Sequence, residues 1–200
     1  MIHAQPLFMA SPTWRTAFLV SYLGWAVMEM WIFSRDRRPA KGVSSDRGSL
    51  RALVMLVWAG LGGAFVAAQQ VGSARIALAP QPVFWSGIAG IWLGMALRSW
   101  AVLTLGRFFR VTVRIQEDHR LITSGPYAVL RNPSYTGGLI SMAGVVLALG
   151  NWLSLAWAAA CLLAGYGWRI RTEEAALASR FGQAWTDYRR RTWALIPFVW

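Results

Sequence analysis

Residues 119–138 read HRLITSGPYAVLRNPSYTGG, a run of turn formers and arginines set between long apolar stretches. Gly125-Pro126 and Asn132-Pro133 each precede a tyrosine closely, and each proline removes a backbone donor and restricts the residue before it. Such a segment is too polar to be a membrane span and too apolar around its prolines to be a plain linker. Irregular backbone at a membrane edge survives where it lines a cavity or meets a ligand, because its amides need partners. The sequence therefore raises two readings for this strip: a re-entrant turn packed on its neighbours, or the wall of a site with Tyr127 and Tyr135 available to stack on a purine.

The surroundings fix the fold class. Hydrophobic residues make up 56% of the 200 and charged residues 14%, well off the soluble norm of about 45–50% and 25%. Mean hydropathy is +0.40. Several of the 13 tryptophans fall near the ends of apolar runs, the depth at which amphipathic rings settle. A span needs about 20 mostly apolar residues, and runs at 13–33, 50–71, 82–105, 136–149 and 152–168 meet or approach that. The last two are short and separated by Gly150–Trp152, which reads as a tight helical hairpin. The expected fold is an all-α, polytopic membrane bundle of about five transmembrane helices. Two parts are expected: 1–105, three spans with a basic loop, and 106–200, holding the site. The first run lacks a basic leader and exceeds a signal-peptide core, so it reads as a span.

Net charge is +12, and a basic surface suggests nucleic acid. The arginines cluster instead in the gaps between apolar runs: 35–51, 107–131 and 169–191, against Arg75 alone in the other connections and Arg15 near the start. Five spans with the N-terminus outside put every basic loop on the cytosolic side, so lipid rather than nucleic acid is the expected partner. The expected setting is a bacterial inner membrane with the site facing the cytosol. Cys161 is the sole cysteine and reads as a small buried hydrophobe; with only His3 and His119 besides, no metal site is expected. Arg98 and Glu29, inside or near the ends of spans, read first as headgroup anchors, although intramembrane charges are often functional.

The C-terminal stretch from 172 to 191 has acids in its first turn and arginines in its last, with Ala176, Leu177, Phe181, Trp185 and Tyr188 at helical spacing. It reads as an amphipathic helix on the cytosolic surface, weakened or kinked at Gly182. Arg169 and Glu173, four apart, share a helix face at the mouth of the fifth span. An exposed ion pair of that kind is worth a few tenths of a kcal/mol, but acids are scarce here, and the hairpin returns these two to the side of residues 119–138.

The strip at 119–138, followed about 30 residues later by RIRTEEAALASRFGQAWTDYRRRTWALIP, resembles the isoprenylcysteine carboxyl methyltransferase family, with its H-x-L-V-x-x-G-x-Y, R-H-P-x-Y-x-G, R-x-x-x-E-E and closing L-I-P. The resemblance covers roughly 105–200; phospholipid N-methyltransferases and bacterial thiol methyltransferases look related through the same region. It implies an integral membrane methyltransferase using S-adenosylmethionine and acting on a lipophilic acceptor, most closely the carboxylate of an isoprenylcysteine. It also implies that His119, Arg120, Leu121, Ile122, Tyr127, Asn132, Pro133, Ser134 and Tyr135 contact the cofactor, that Glu173 takes its amino group, and that Arg169 is the catalytic residue facing the substrate carboxylate. Asn132 stands where the family has histidine; it donates and accepts hydrogen bonds but cannot become cationic. Displacement at a sulfonium needs alignment and desolvation more than a base, so a site poor in His and Cys is no objection. Other acceptors, a phospholipid amine or a thiol, stay open. So do a non-enzymatic transport or assembly role and a sterol-reductase-like protein binding a nicotinamide cofactor.

Overall fold

The computed structural model describes residues 5–35, 48–110 and 120–199. Among these residues six α-helices follow in chain order: α1 (Pro12–Ser34), α2 (Ser49–Gln70), α3 (Pro80–Leu105), α4 (Pro133–Leu149), α5 (Trp152–Phe181) and α6 (Gln183–Arg191). Their ends follow local chemistry. Ser11 caps α1 by accepting from the Trp14 amide at 3.2 Å, with Pro12 in the first position, where its missing donor costs nothing. Asn151 caps α5 by accepting from the Ser154 amide at 3.0 Å and donates to the Val71 carbonyl at 2.9 Å, pinning the expected α4–α5 hairpin against the end of α2.

Helices α1, α2, α3 and α5 have the length and apolar composition of membrane spans. At 17 residues, α4 is about 26 Å long, short of the roughly 30 Å hydrocarbon layer. It tolerates this because its neighbours encase it. Gly87 and Gly94 of α3 face Gly137 and Gly144 of α4 so closely that backbones touch: a Cβ on Gly137 would lie 2.6 Å from the Arg98 amide nitrogen, and one on Gly144 would lie 2.6 Å from the Gly87 carbonyl. Without a hydrophobic drive in lipid, close backbone approach of this kind supplies the association. On the other side α2 packs on α5, where the Ser154 hydroxyl donates to the Ala64 carbonyl at 2.6 Å and Cys161 is buried opposite Gly60. These pairings run across the division expected at residue 105. Large apolar side chains such as Leu23, Val27, Trp58, Val66 and Leu93 point outward, a surface that requires lipid. The protein is an integral membrane helical bundle.

Two expectations need correcting. The stretch 172–191 is not one separate helix: α5 runs unbroken from the apolar run at 152–168 to Phe181, 30 residues in all. The break falls at Gly182, whose φ of +50° with ψ of −119° is open to glycine and closed to other residues. Asn132-Pro133 is not irregular strip either. Pro133 opens α4, so Pro133, Ser134 and Tyr135 form its first turn, three residues earlier than the apolar run suggests.

Candidate functional site

The proline-bearing strip is held by the C-terminal segment. Gly125, at φ +59°, starts a 3-10 turn over Gly125–Ala128. Residues 129–132 then lie beside 193–194, with the Arg131 amide donating to the Trp193 carbonyl at 2.7 Å, the Asn132 amide to Ala194 at 3.2 Å, and the Trp193 amide to Val129 at 3.0 Å. Side chains reinforce the seam. The Thr136 hydroxyl donates to the Leu195 carbonyl at 2.8 Å, the Tyr188 hydroxyl to Tyr127 at 2.8 Å, and the Arg131 guanidinium to Glu174 at 2.9 Å and to the Thr192 carbonyl. Asn132 donates through its side-chain amide to the Ala194 carbonyl at 3.2 Å and reaches toward Glu174 at 3.5 Å. In this chain the asparagine therefore works as a latch on the C-terminal strap.

Beneath the seam lies a cavity at the arginine-rich end of the bundle. One wall is apolar and comes from span ends: Phe33 of α1, Leu50 and Leu53 of α2, Leu105 of α3, then Phe108 and Phe109. The rest of the lining carries Arg120, Leu121, Ile122, Tyr127, Asn132, Ser134 and Tyr135, together with Ala176, Leu177, Trp185 and Tyr188. Arg169 and Glu173 also line it. Arg169 is only 1% exposed, its Nη1 donating to the Ser49 hydroxyl at 3.0 Å. Its Nε donates to the Tyr135 hydroxyl at 3.1 Å, and that hydroxyl donates to Glu173 Oε2 at 2.6 Å. The two charges thus share a phenol from α4 rather than forming a loose pair in solvent. Burial, with the Glu173 carboxylate adding to it, holds the Tyr127 phenol well above its ordinary pKa. Burial pushes Tyr188 up to about 12, Arg131 opposing. Both are neutral donors at physiological pH.

Of the residues expected at the site, Arg120, Leu121, Ile122, Tyr127, Asn132, Ser134, Tyr135, Arg169 and Glu173 line this cavity. Pro133 does not; as the first residue of α4 it is buried at the helix start. His119 lies outside the described residues. Sequence reasoning missed the contribution of α1, α2 and α3, whose ends read only as generic spans. It also gave Arg98 and Glu29 a headgroup-anchor role, whereas they pair with each other inside the bundle at 2.7 Å. The signal for both lay in their position, since two opposite charges fell within apolar runs.

Fold and site together define a polytopic membrane protein with a polar, arginine-rich pocket at one end and an apolar wall reaching into the spans. The chain belongs to the phospholipid methyltransferase family, whose sequence model matches residues 82–184. Among curated proteins it is similar to the protein-S-isoprenylcysteine O-methyltransferase of Schizosaccharomyces pombe, 37% identical over 116 residues, which are 57% of this chain and 49% of that protein. It is also similar to protein-S-isoprenylcysteine O-methyltransferase B of Arabidopsis thaliana, 36% identical over 115 residues, 56% of this chain and 58% of that one. The chain thus spans about half to three-fifths of the length of these relatives. Its fold matches a solved structure of the eukaryotic intramembrane Ras methyltransferase ICMT with a TM-score of 0.63 and 26% identity, over 96% of this chain and 70% of that one.

Proposed function

We propose that this chain is an integral membrane methyltransferase that uses S-adenosylmethionine to methylate a lipophilic anion, most closely an isoprenylcysteine carboxylate. The carrying observation is the Arg169–Tyr135–Glu173 relay, a buried cation and a carboxylate held by one phenol in a cavity lined by both polar and apolar side chains. The residues present fit the cofactor. Glu173 is a carboxylate suited to an ammonium, Tyr127, Trp185 and Tyr188 offer ring faces, and Leu121, Ile122, Ala176 and Leu177 supply small or apolar surface for a nucleoside. Bound there, S-adenosylmethionine supplies a methyl group already activated on a sulfonium.

The chain's own groups then have defined tasks. Glu173 holds the donor end, with its carboxylate oriented by the Tyr135 hydroxyl. Arg169, held by the Ser49 and Tyr135 hydroxyls, offers a guanidinium whose burial strengthens attraction for an acceptor carboxylate and whose planar fork orients it. The span ends bearing Phe33, Leu50 and Leu53 accommodate the lipophilic part and exclude water from the reacting oxygen. An ionised acceptor needs no base, which agrees with phenols kept neutral by burial. Among the described residues the cavity lining carries Arg98, Arg110, Arg120, Arg131 and Arg169 against the carboxylate of Glu173, a balance that favours an anion over a phospholipid amine. The proposed setting is a bacterial inner membrane with the cavity on its cytosolic side, and the Lys/Arg bias supports that sidedness.

The test is methyl transfer from isotopically labelled donor into a whole lipid extract and into a prenylated cysteine, with mass spectrometry of the product. A methyl ester on a lipophilic acid is expected; label confined to phosphatidylethanolamine would overturn the acceptor assignment.

A further inference from the structure

Arg98 and Glu29 form an ion pair within the spans, and nothing in the reaction above uses it. Arg98 of α3 reaches Glu29 of α1 through Nε at 2.7 Å and Nη2 at 2.8 Å. Its remaining arm, Nη1, donates to α4: to the Ser134 carbonyl at 3.0 Å and to the Ser134 hydroxyl at 3.1 Å. One guanidinium therefore ties three helices, with side-chain exposures of only 12% for Arg98 and 19% for Glu29. Desolvating two charges is expensive and the attraction between them repays little beyond that cost, so a buried pair is weak support for stability alone. Nor is it needed to join α3 to α4, because the backbones of Gly94 and Gly137 already meet there.

What the pair does fix is the first turn of α4. Ser134 immediately precedes Tyr135, the phenol that links Arg169 to Glu173, and Arg98 itself lies on the cavity wall. We propose that Arg98, braced by Glu29, is a positioning residue that sets the Tyr135 hydroxyl through Ser134. Glu29 has a second effect: it neutralises Arg98, so the guanidinium at the wall does not compete with Arg169 for the acceptor's negative charge. The proposal rests on the methyltransferase reading of the cavity.

The experiment uses the 200-residue chain in nanodiscs, with kcat and KM for a prenylated cysteine acceptor, S-adenosylmethionine affinity by calorimetry and Tm measured on each variant. Arg98→Lys gives a point charge that cannot serve the Glu29 carboxylate and Ser134 together, and kcat should fall about tenfold or more with acceptor KM moving less than threefold. Glu29→Gln keeps the arginine's reach to Ser134 but uncovers its charge. Acceptor KM should then fall while kcat also falls, the pattern of tighter but unproductive binding. A purely structural pair would lower Tm and the folded fraction and leave kcat per folded protein and KM unchanged; that result overturns the proposal. Wild-type protein that binds no S-adenosylmethionine would instead overturn the functional reading and the proposal with it.

Discussion

Removing one oxygen atom tests the relay. In Tyr135→Phe the ring stays, packed at 5.3 Å from Tyr166, so the fold should be retained. Two hydrogen bonds disappear: the 3.1 Å donation from Arg169 and the 2.6 Å donation to Glu173. A bond to a charged group contributes about 1.5–3 kcal/mol net. Arg169 and Glu173 are four apart on α5, so partial direct pairing should recover some of the loss. We expect a net effect of about 2 kcal/mol, roughly a 30-fold fall in kcat/KM. The assay is methyl transfer by protein in nanodiscs, with Tm recorded to confirm folding. A Tyr135→Phe protein within twofold of wild type in kcat/KM would refute the idea that the phenol organises the two charges.

Further outcomes follow from other contacts. Arg169→Lys should lower kcat/KM for an anionic acceptor at least about tenfold, because an ammonium cannot serve the Tyr135 and Ser49 hydroxyls as the guanidinium fork does; full turnover in Arg169→Ala would remove arginine from the mechanism. Gly137→Ala places a methyl 2.6 Å from the Arg98 amide nitrogen, and the strain should cost about 1–3 kcal/mol or more, read as a lower Tm. Tyr188 is held protonated in the folded state, with a pKa raised from 10.0 to about 12. Its contribution to the C-terminal seam should be full below pH 10 and be lost as pH rises toward 12. Fluorescence of Trp185 and Trp193 should report a step in that window, and Tyr188→Phe should abolish it.

Much of this architecture was legible because lipid simplifies the problem: apolar length marks the spans without long-range packing. The cavity lining was legible at 120–135 and at Glu173 because prolines and scarce acids stand out against an apolar chain. The extent of α5 was not, since charged residues after Trp168 look like the end of a span, whereas a helix leaving the bilayer has no reason to stop until Gly182. The seam between 129–132 and 193–195 was hidden because its bonds run mainly to backbone carbonyls, which carry no residue-specific signature. The span ends that wall the cavity were equally silent. Leu50 and Leu53 look like any lipid-facing leucines until α2 is seen beside α5.

The most direct test of the central claim is equilibrium binding of labelled S-adenosylmethionine to the purified protein, wild type beside Glu173→Gln. The account predicts saturable binding by the wild type and a loss of at least about tenfold in affinity in the folded variant, since the carboxylate's charge is what holds the donor's ammonium. No binding by the wild type, or equal affinity in the two proteins, would contradict it.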